Sequence, residues 1–199
     1  MRMLVSAVAV GTLLFAAGAR AAERGEAIFA GGCFWCEETA FEGVPGVSAV
    51  ISGYTGGTRK NPTYEEVSSG STGHAESVHV IFDPAKISYA KLLEIFWHSV
   101  DPVSAGGQFC DRGNQYRSVI FYLDESQKKA AEESKAIVEK QLKQPIATEI
   151  TKAGEFYPAE EYHQDFFKKN PVRYSSYRLG CGRDRRLREI WGDKAIVQH

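Results

Sequence analysis

The residues best suited to chemistry in this chain are two cysteines three apart, Cys33 and Cys36, in the stretch Gly31-Gly32-Cys33-Phe34-Trp35-Cys36-Glu37-Glu38. The apolar run from Ala27 to Ala30 ahead of it reads as a buried strand, and Glu37 to Phe41 suits the first turns of a helix. A glycine pair lets the backbone turn sharply between the two, which puts Cys33 at or near a helix N-terminus. Unpaired N–H groups and the helix dipole favour an anion there, so the thiol should ionise readily, and the thiolate is the nucleophile. The competing reading makes both cysteines small buried hydrophobes or half of a zinc site. Trp35 and the glycines weigh against it, being a costly surround for filler.

Glu76 is the second residue of interest. If Glu76 to Phe82 is a strand, alternation places Glu76 on the side of Val78, Val80 and Phe82. A carboxyl that continues an apolar face is desolvated, stays protonated and can donate a proton. If the strand starts one residue later, Glu76 sits in water, and the residues alone leave both readings open. Tyr64 and Tyr116 lie in polar loops and offer hydroxyl donors at neutral pH, unless they are simply core. Asp111, between Cys110 and Arg112, could orient a polar group or form a surface ion pair. Cys181 is flanked by Gly180 and Gly182, with Arg178, Arg183, Arg185 and Arg186 nearby. Mobility and positive charge suit a reactive, partly exposed thiol, although a solvated face explains most of the arginines equally well. Cys110 and Cys181 form no second C-x-x-C, and His74, His79, His98 and His163 lack metal-ligand spacing, so no metal is expected.

These residues must be held by elements of alternating type. Strands are expected at Ala27–Ala30, Val47–Tyr54, Glu76–Phe82, Arg117–Leu123 and Thr148–Lys152. Helices are expected after Cys36, from Ser88 to Trp97, from Glu125 to Leu142 and from Pro158 to Lys169. Thr55–Gly73 and Ser104–Asn114 read as loops, the first long enough to be functional. The order β-α-β-β-α-β, then α and β, predicts an α+β fold of the ferredoxin-like class, an α/β plait with a C-terminal extension.

The first residues are a separate object. Met1-Arg2, an uncharged apolar run to Ala19 and the sequence Ala19-Arg20-Ala21 predict a secretory signal peptide over residues 1–21, leaving one domain over 22–199. Removing Arg2 and Arg20 leaves 22 basic against 25 acidic side chains, a net charge of −3, too balanced for a nucleic-acid binder. An exported, non-membrane, monomeric protein is expected, in the periplasm if the host is a two-membrane bacterium. Four cysteines in an exported chain usually signal two structural disulfides, but a domain of this size does not need them, so redox chemistry competes with that reading.

The motifs together resemble the A-type peptide methionine sulfoxide reductases. Gly32-Cys33-Phe34-Trp35 is followed in order by Gly53-Tyr54-Thr55-Gly56-Gly57, Asn61-Pro62-Thr63-Tyr64, Thr72-Gly73-His74-Ala75-Glu76, Gln115-Tyr116-Arg117-Ser118 and Tyr157-Pro158-Ala159-Glu160-Glu161-Tyr162-His163-Gln164. The resemblance covers nearly the whole mature chain and implies reduction of the S epimer of methionine sulfoxide, free or in oxidised proteins, without a bound cofactor. By resemblance, Cys33 attacks the sulfoxide sulfur, Glu76 protonates the oxygen, Tyr64 and Tyr116 hydrogen-bond it, and Asp111 organises the site. Phe34 and Trp35 then wall the S-methyl group. The sulfenic acid formed on Cys33 condenses with a second thiol. Cys181 and Cys36 are favoured for that step over Cys110. A thioredoxin-like reductant, exported like the enzyme, would recycle the disulfide. The alternative is a general thiol–disulfide oxidoreductase built on Cys33 and Cys36, with no use for Glu76.

Overall fold

Ala27-Ile28-Phe29-Ala30 is apolar without alternation, and such a strand must be covered on both faces. All four residues are buried in the computed structural model, which describes residues 24–197. In chain order the elements are β1 (Gly25–Gly31), α1 (Phe34–Phe41), β2 (Val47–Thr55), α2 (Tyr64–Ser68), β3 (Ala75–Phe82), α3 (Tyr89–Ser99), β4 (Gly107–Gln108), β5 (Asp111–Arg112), β6 (Ser118–Tyr122), α4 (Glu125–Leu142), β7 (Glu149–Lys152), β8 (Tyr157–Pro158), α5 (Phe166–Lys169), α6 (Pro171–Gly180) and α7 (Arg183–Trp191). The signal-peptide expectation lies outside the described residues. Among those residues no helix is long and apolar enough to cross a membrane.

The main sheet runs β7-β6-β1-β3-β2-β8, antiparallel throughout except where β7 lies parallel to β6. This is a mixed α/β architecture around a mostly antiparallel sheet. Phe29 points to the helix-covered face and stacks on Phe96 at 5.1 Å and Phe41 at 5.2 Å between ring centres. Its neighbours Ile28 and Ala30 point the other way, joining Ala75, Val119 and Phe121 under Ala153 and Phe156. Helices α3 and α4 start where their caps dictate. Ser88 accepts the Lys91 N–H at 3.2 Å and Asp124 accepts that of Gln127 at 2.8 Å.

Three expectations need correction. The long loop from Thr55 to Gly73 contains α2, started by a capping box in which Thr63 and Glu66 each bond the other's backbone N–H. The loop from Ser104 to Asn114 contains the small β4–β5 hairpin. The helix expected over Pro158–Lys169 is replaced by the edge strand β8, turns, and a helix that begins only at Phe166. Tertiary bonds override propensity there: the Ala159 N–H donates to Ser52 O, while Glu160 accepts from the Tyr54 hydroxyl and the Tyr64 N–H. The C-terminal extension forms α6 and α7.

Because Phe29 stacks on Phe41, Phe96 and Tyr89 with no access to water, Phe29→Ala should lower stability by about 3–5 kcal/mol. Urea unfolding followed by circular dichroism would read this as a drop in midpoint at constant slope.

Candidate active site

The site is built where β1 ends. Gly32 turns the chain with φ of +92°, and a Cβ at this position would lie 2.7 Å from the Gln108 Cβ, so glycine is required. Cys33 is the N-cap of α1, as its sequence setting predicts. Strand β3 begins at Ala75, so Glu76 falls on the apolar face with Val78, Val80 and Phe82 and is buried. Its Oε2 accepts the Phe34 N–H at 3.1 Å. Around these two groups is a pocket of about 70 Å³ lined by Cys33, Phe34, Trp35, Tyr64, Glu76, Asp111, Tyr116 and Tyr177. Every residue expected as catalytic or substrate-binding is thus in one place. Tyr64 opens α2, Tyr116 closes a 3-10 turn ahead of β6, and Asp111 opens β5. Trp35 is fixed by its indole N–H, which donates to His163 Nδ1 at 3.0 Å, and by stacking on Phe166 at 3.7 Å.

Burial governs the electrostatics. It pushes the Glu76 carboxyl up to about 8, with Asp111 and Cys36 adding to the shift and the Phe34 N–H opposing it. Glu76 is therefore a neutral acid at physiological pH. Burial, reinforced by Glu76, also raises Tyr64 and Tyr116, which remain hydroxyl donors. Asp111 is raised by burial against the pull of the Tyr177 hydroxyl, which donates to it at 2.5 Å, and of Arg183. The helix N-terminus does not make Cys33 acidic as expected. Desolvation raises it well above the usual thiol value, and Cys36, Glu76 and Asp111 add to the rise. Cys36 is the acidic thiol. Burial acts against it, but the hydrogen bond with Cys33 and the charges of Arg183 and Arg178 bring it to about 6. The two thiols titrate as one coupled unit, and the buried arginines favour the thiolate on the Cys36 side.

The sequence model of the peptide methionine sulfoxide reductases matches residues 25–195. The chain belongs to this family. The reductase is 54% identical to the peptide methionine sulfoxide reductase MsrA of Bacillus licheniformis over 87% of this chain and 97% of that relative. It is 51% identical to MsrA 2 of Rhizobium meliloti, over 90% and 89% respectively. Among solved structures, reduced Mxr1 from Saccharomyces cerevisiae aligns with a TM-score of 0.73 at 30% identity, covering 76% of this chain and 88% of that one. Methionine sulfoxide reductase A of Corynebacterium diphtheriae aligns at 0.71 and 33%, covering 75% and 76%.

The four cysteines of the reductase divide into two sets. Cys33 and Cys36 are free, at 6% and 2% exposure, while Cys110 and Cys181 form a disulfide. Cys181 is accordingly no swinging thiol on a mobile tail. It caps the C-terminus of α6, and Gly182 with φ of +69° turns the chain into α7. The ligand atoms of Cys110, Asp111 and Cys181 lie within 4.8 Å of one another, but a disulfide presents no thiolate to a metal.

One contributor was missed: Tyr177, which lines the pocket and holds Asp111. Arg183 and Arg178, named beside Cys181 with a solvated face as the alternative, are buried. A helical signal was present in the tail. Pro171 at a first turn followed by Tyr174 and Tyr177, and then Arg183, Leu187 and Trp191 at four-residue spacing, mark two helices with buried faces. His163, read as a structural histidine, is buried as expected but also positions a pocket wall through Trp35.

Titration of the denatured, unreduced protein with a thiol reagent should find two thiols per chain, and peptide mapping should join Cys110 to Cys181. Four thiols would remove the disulfide from this description.

Proposed function

We propose that this chain reduces the S epimer of methionine sulfoxide, free or in oxidised proteins, to methionine, with Cys33 as nucleophile and Glu76 as proton donor. The observation that carries the reading is the convergence of a nucleophilic sulfur, a neutral carboxylic acid and two tyrosine hydroxyls on one small pocket beside Phe34 and Trp35. Sulfoxide oxygen leaves poorly unless protonated. In this pocket Glu76 gives it a proton, Tyr64 and Tyr116 hydrogen-bond it, and Phe34 and Trp35 receive the S-methyl group. Asp111, fixed by Tyr177, orders the polar side. The Cys33 sulfur takes the oxygen, so it is oxidised by two electrons as the substrate sulfur is reduced by two. The proton that Cys33 gives up restores Glu76, and the products are methionine and a Cys33 sulfenic acid.

Cys36 is the resolving thiol in this reading. It is free and lies one helical turn from Cys33, its N–H donating to the Cys33 carbonyl at 3.0 Å, whereas Cys110 and Cys181 are already joined. The Cys33–Cys36 disulfide forms with loss of water, and a thioredoxin-like protein reduces it. Mxr1 has also been solved in complex with Trx2, which supports a donor of that class. We assign the residue 1–21 leader to export and place the donor in the same compartment, the periplasm in a two-membrane bacterium. The core is, in the same sense, a ferredoxin-like plait, a reading supported by the antiparallel order β6-β1-β3-β2. Burial of both Cys33 and Cys36 counts against general exchange with protein disulfides, which need an accessible sulfur.

With dithiothreitol as reductant, the protein should turn over the S epimer alone, and Cys33→Ser should abolish the reaction. Turnover of neither epimer despite a free Cys33 would sink the assignment. Glu76→Gln should slow reduction by about 10²–10⁴-fold. In the native protein the rate should fall as pH rises through about 8, where Glu76 loses its proton, and a flat alkaline profile would contradict the role.

A further inference from the structure

Cys36 does not line the pocket; it packs with Tyr174 and Phe166 under the C-terminal helices. What those helices bring to it is basic. Arg183, the first residue of α7, is buried and pairs with Glu37, the residue after Cys36. The same guanidinium donates to Gly31 O at 3.1 Å and Ser99 O at 2.8 Å, yet among the described residues its Nε has no hydrogen-bond partner. Arg178, on α6, reaches Cys36 by a relay of polar groups. It donates to the Tyr174 hydroxyl at 3.1 Å, which lies 2.8 Å from Thr39 Oγ1, which in turn donates to the Cys36 carbonyl at 2.8 Å.

Buried cations require facing negative charge. Arg178 has part of it in Asp184, at 2.6 Å. Arg183 has Glu37, but burial pushes that carboxyl up to about 7 against the pull of Arg183, so near neutrality the match is incomplete. The other titratable groups facing Cys36 are Cys33, Glu76, Tyr174 and Tyr177. Burial keeps the carboxyl and both hydroxyls neutral at physiological pH, so Cys36 is the group left to carry the balancing anion.

We propose that Arg183 and Arg178 are positioning residues for the second half of the reaction, holding Cys36 as a thiolate that attacks the Cys33 sulfenic acid once methionine has formed. The sulfur–sulfur bond forms as the sulfur–oxygen bond of Cys33 breaks, and the oxygen leaves as water with a proton from Glu76. The inference rests on Cys36 being the resolving thiol.

The test follows thiolate ultraviolet absorbance against pH, with rapid-quench peptide mapping after one equivalent of methionine sulfoxide. It compares the full chain with Arg183→Met, Arg178→Gln and Arg178→Lys. In the native protein the Cys36 signal, identified by its loss in Cys36→Ser, should rise near pH 6. Arg183→Met and Arg178→Gln should move it upward by about one pH unit. At neutral pH they should slow Cys33–Cys36 closure about tenfold more than they slow methionine release. Arg178→Lys, which keeps the charge, should stay near the native profile. Should Arg183→Met not fold, Arg178→Gln with its lysine rescue reads the same shift. A Cys33–Cys36 product whose titration and closure rate ignore both arginines would overturn this inference alone. A native product joining Cys33 to Cys181 would overturn the resolving assignment and the inference with it.

Discussion

A guanidinium closed off from water fixes the rest of this structure. Arg183 sits at the start of a C-terminal helix yet contacts the end of β1 through Gly31 O, α1 through Glu37 and the end of α3 through Ser99 O. Its flat face lies over the Phe109 ring at 4.4 Å, in the turn of the β4–β5 hairpin. Breaking a buried ion pair by removing one partner typically costs about 3–5 kcal/mol, because the other charge is stranded. The C-terminal helices are therefore bolted to the turn that presents Cys33. The Cys110–Cys181 disulfide makes a second, covalent attachment two residues from Arg183 and one from Phe109. Between them these two links place Tyr177 against Asp111 and close one wall of the pocket.

Within that enclosure one physical effect has opposite uses. Desolvation keeps Glu76 and the tyrosines neutral, which a proton-donating and hydrogen-bonding site requires. The same desolvation opposes ionisation of Cys33. The buried cations Arg183 and Arg178 favour negative charge at Cys36 instead. The protein thus sets two sulfurs along a single helical turn, one facing the pocket and the other behind it beside the arginines.

Much of this was legible in the sequence because it depends on local chemistry. The glycine turn ahead of Cys33 and the alternation along β3 are both short-range patterns; the turn is where it was expected, and of the two readings open for Glu76 the buried one holds. The capping box at Thr63 and Glu66 was equally local but lay hidden in a stretch rich in glycine and serine. What could not be read was long-range. The pairing of Cys110 with Cys181 joins residues 71 apart in sequence, and four cysteines permit several pairings. Arg183 resembles any surface arginine until the fold puts Glu37 beside it. The ionisation of Cys33 was misjudged for the same reason, since a helix terminus is visible in sequence and the depth at which it is buried is not.

The size of the pocket also selects what can enter. At about 70 Å³ the pocket holds a few water-sized groups, room for the tip of one side chain. A methionine packed in a core cannot place its sulfur there without first pulling free of its own structure. In the proposed reaction the enzyme therefore reaches such a residue only after its host has loosened around it.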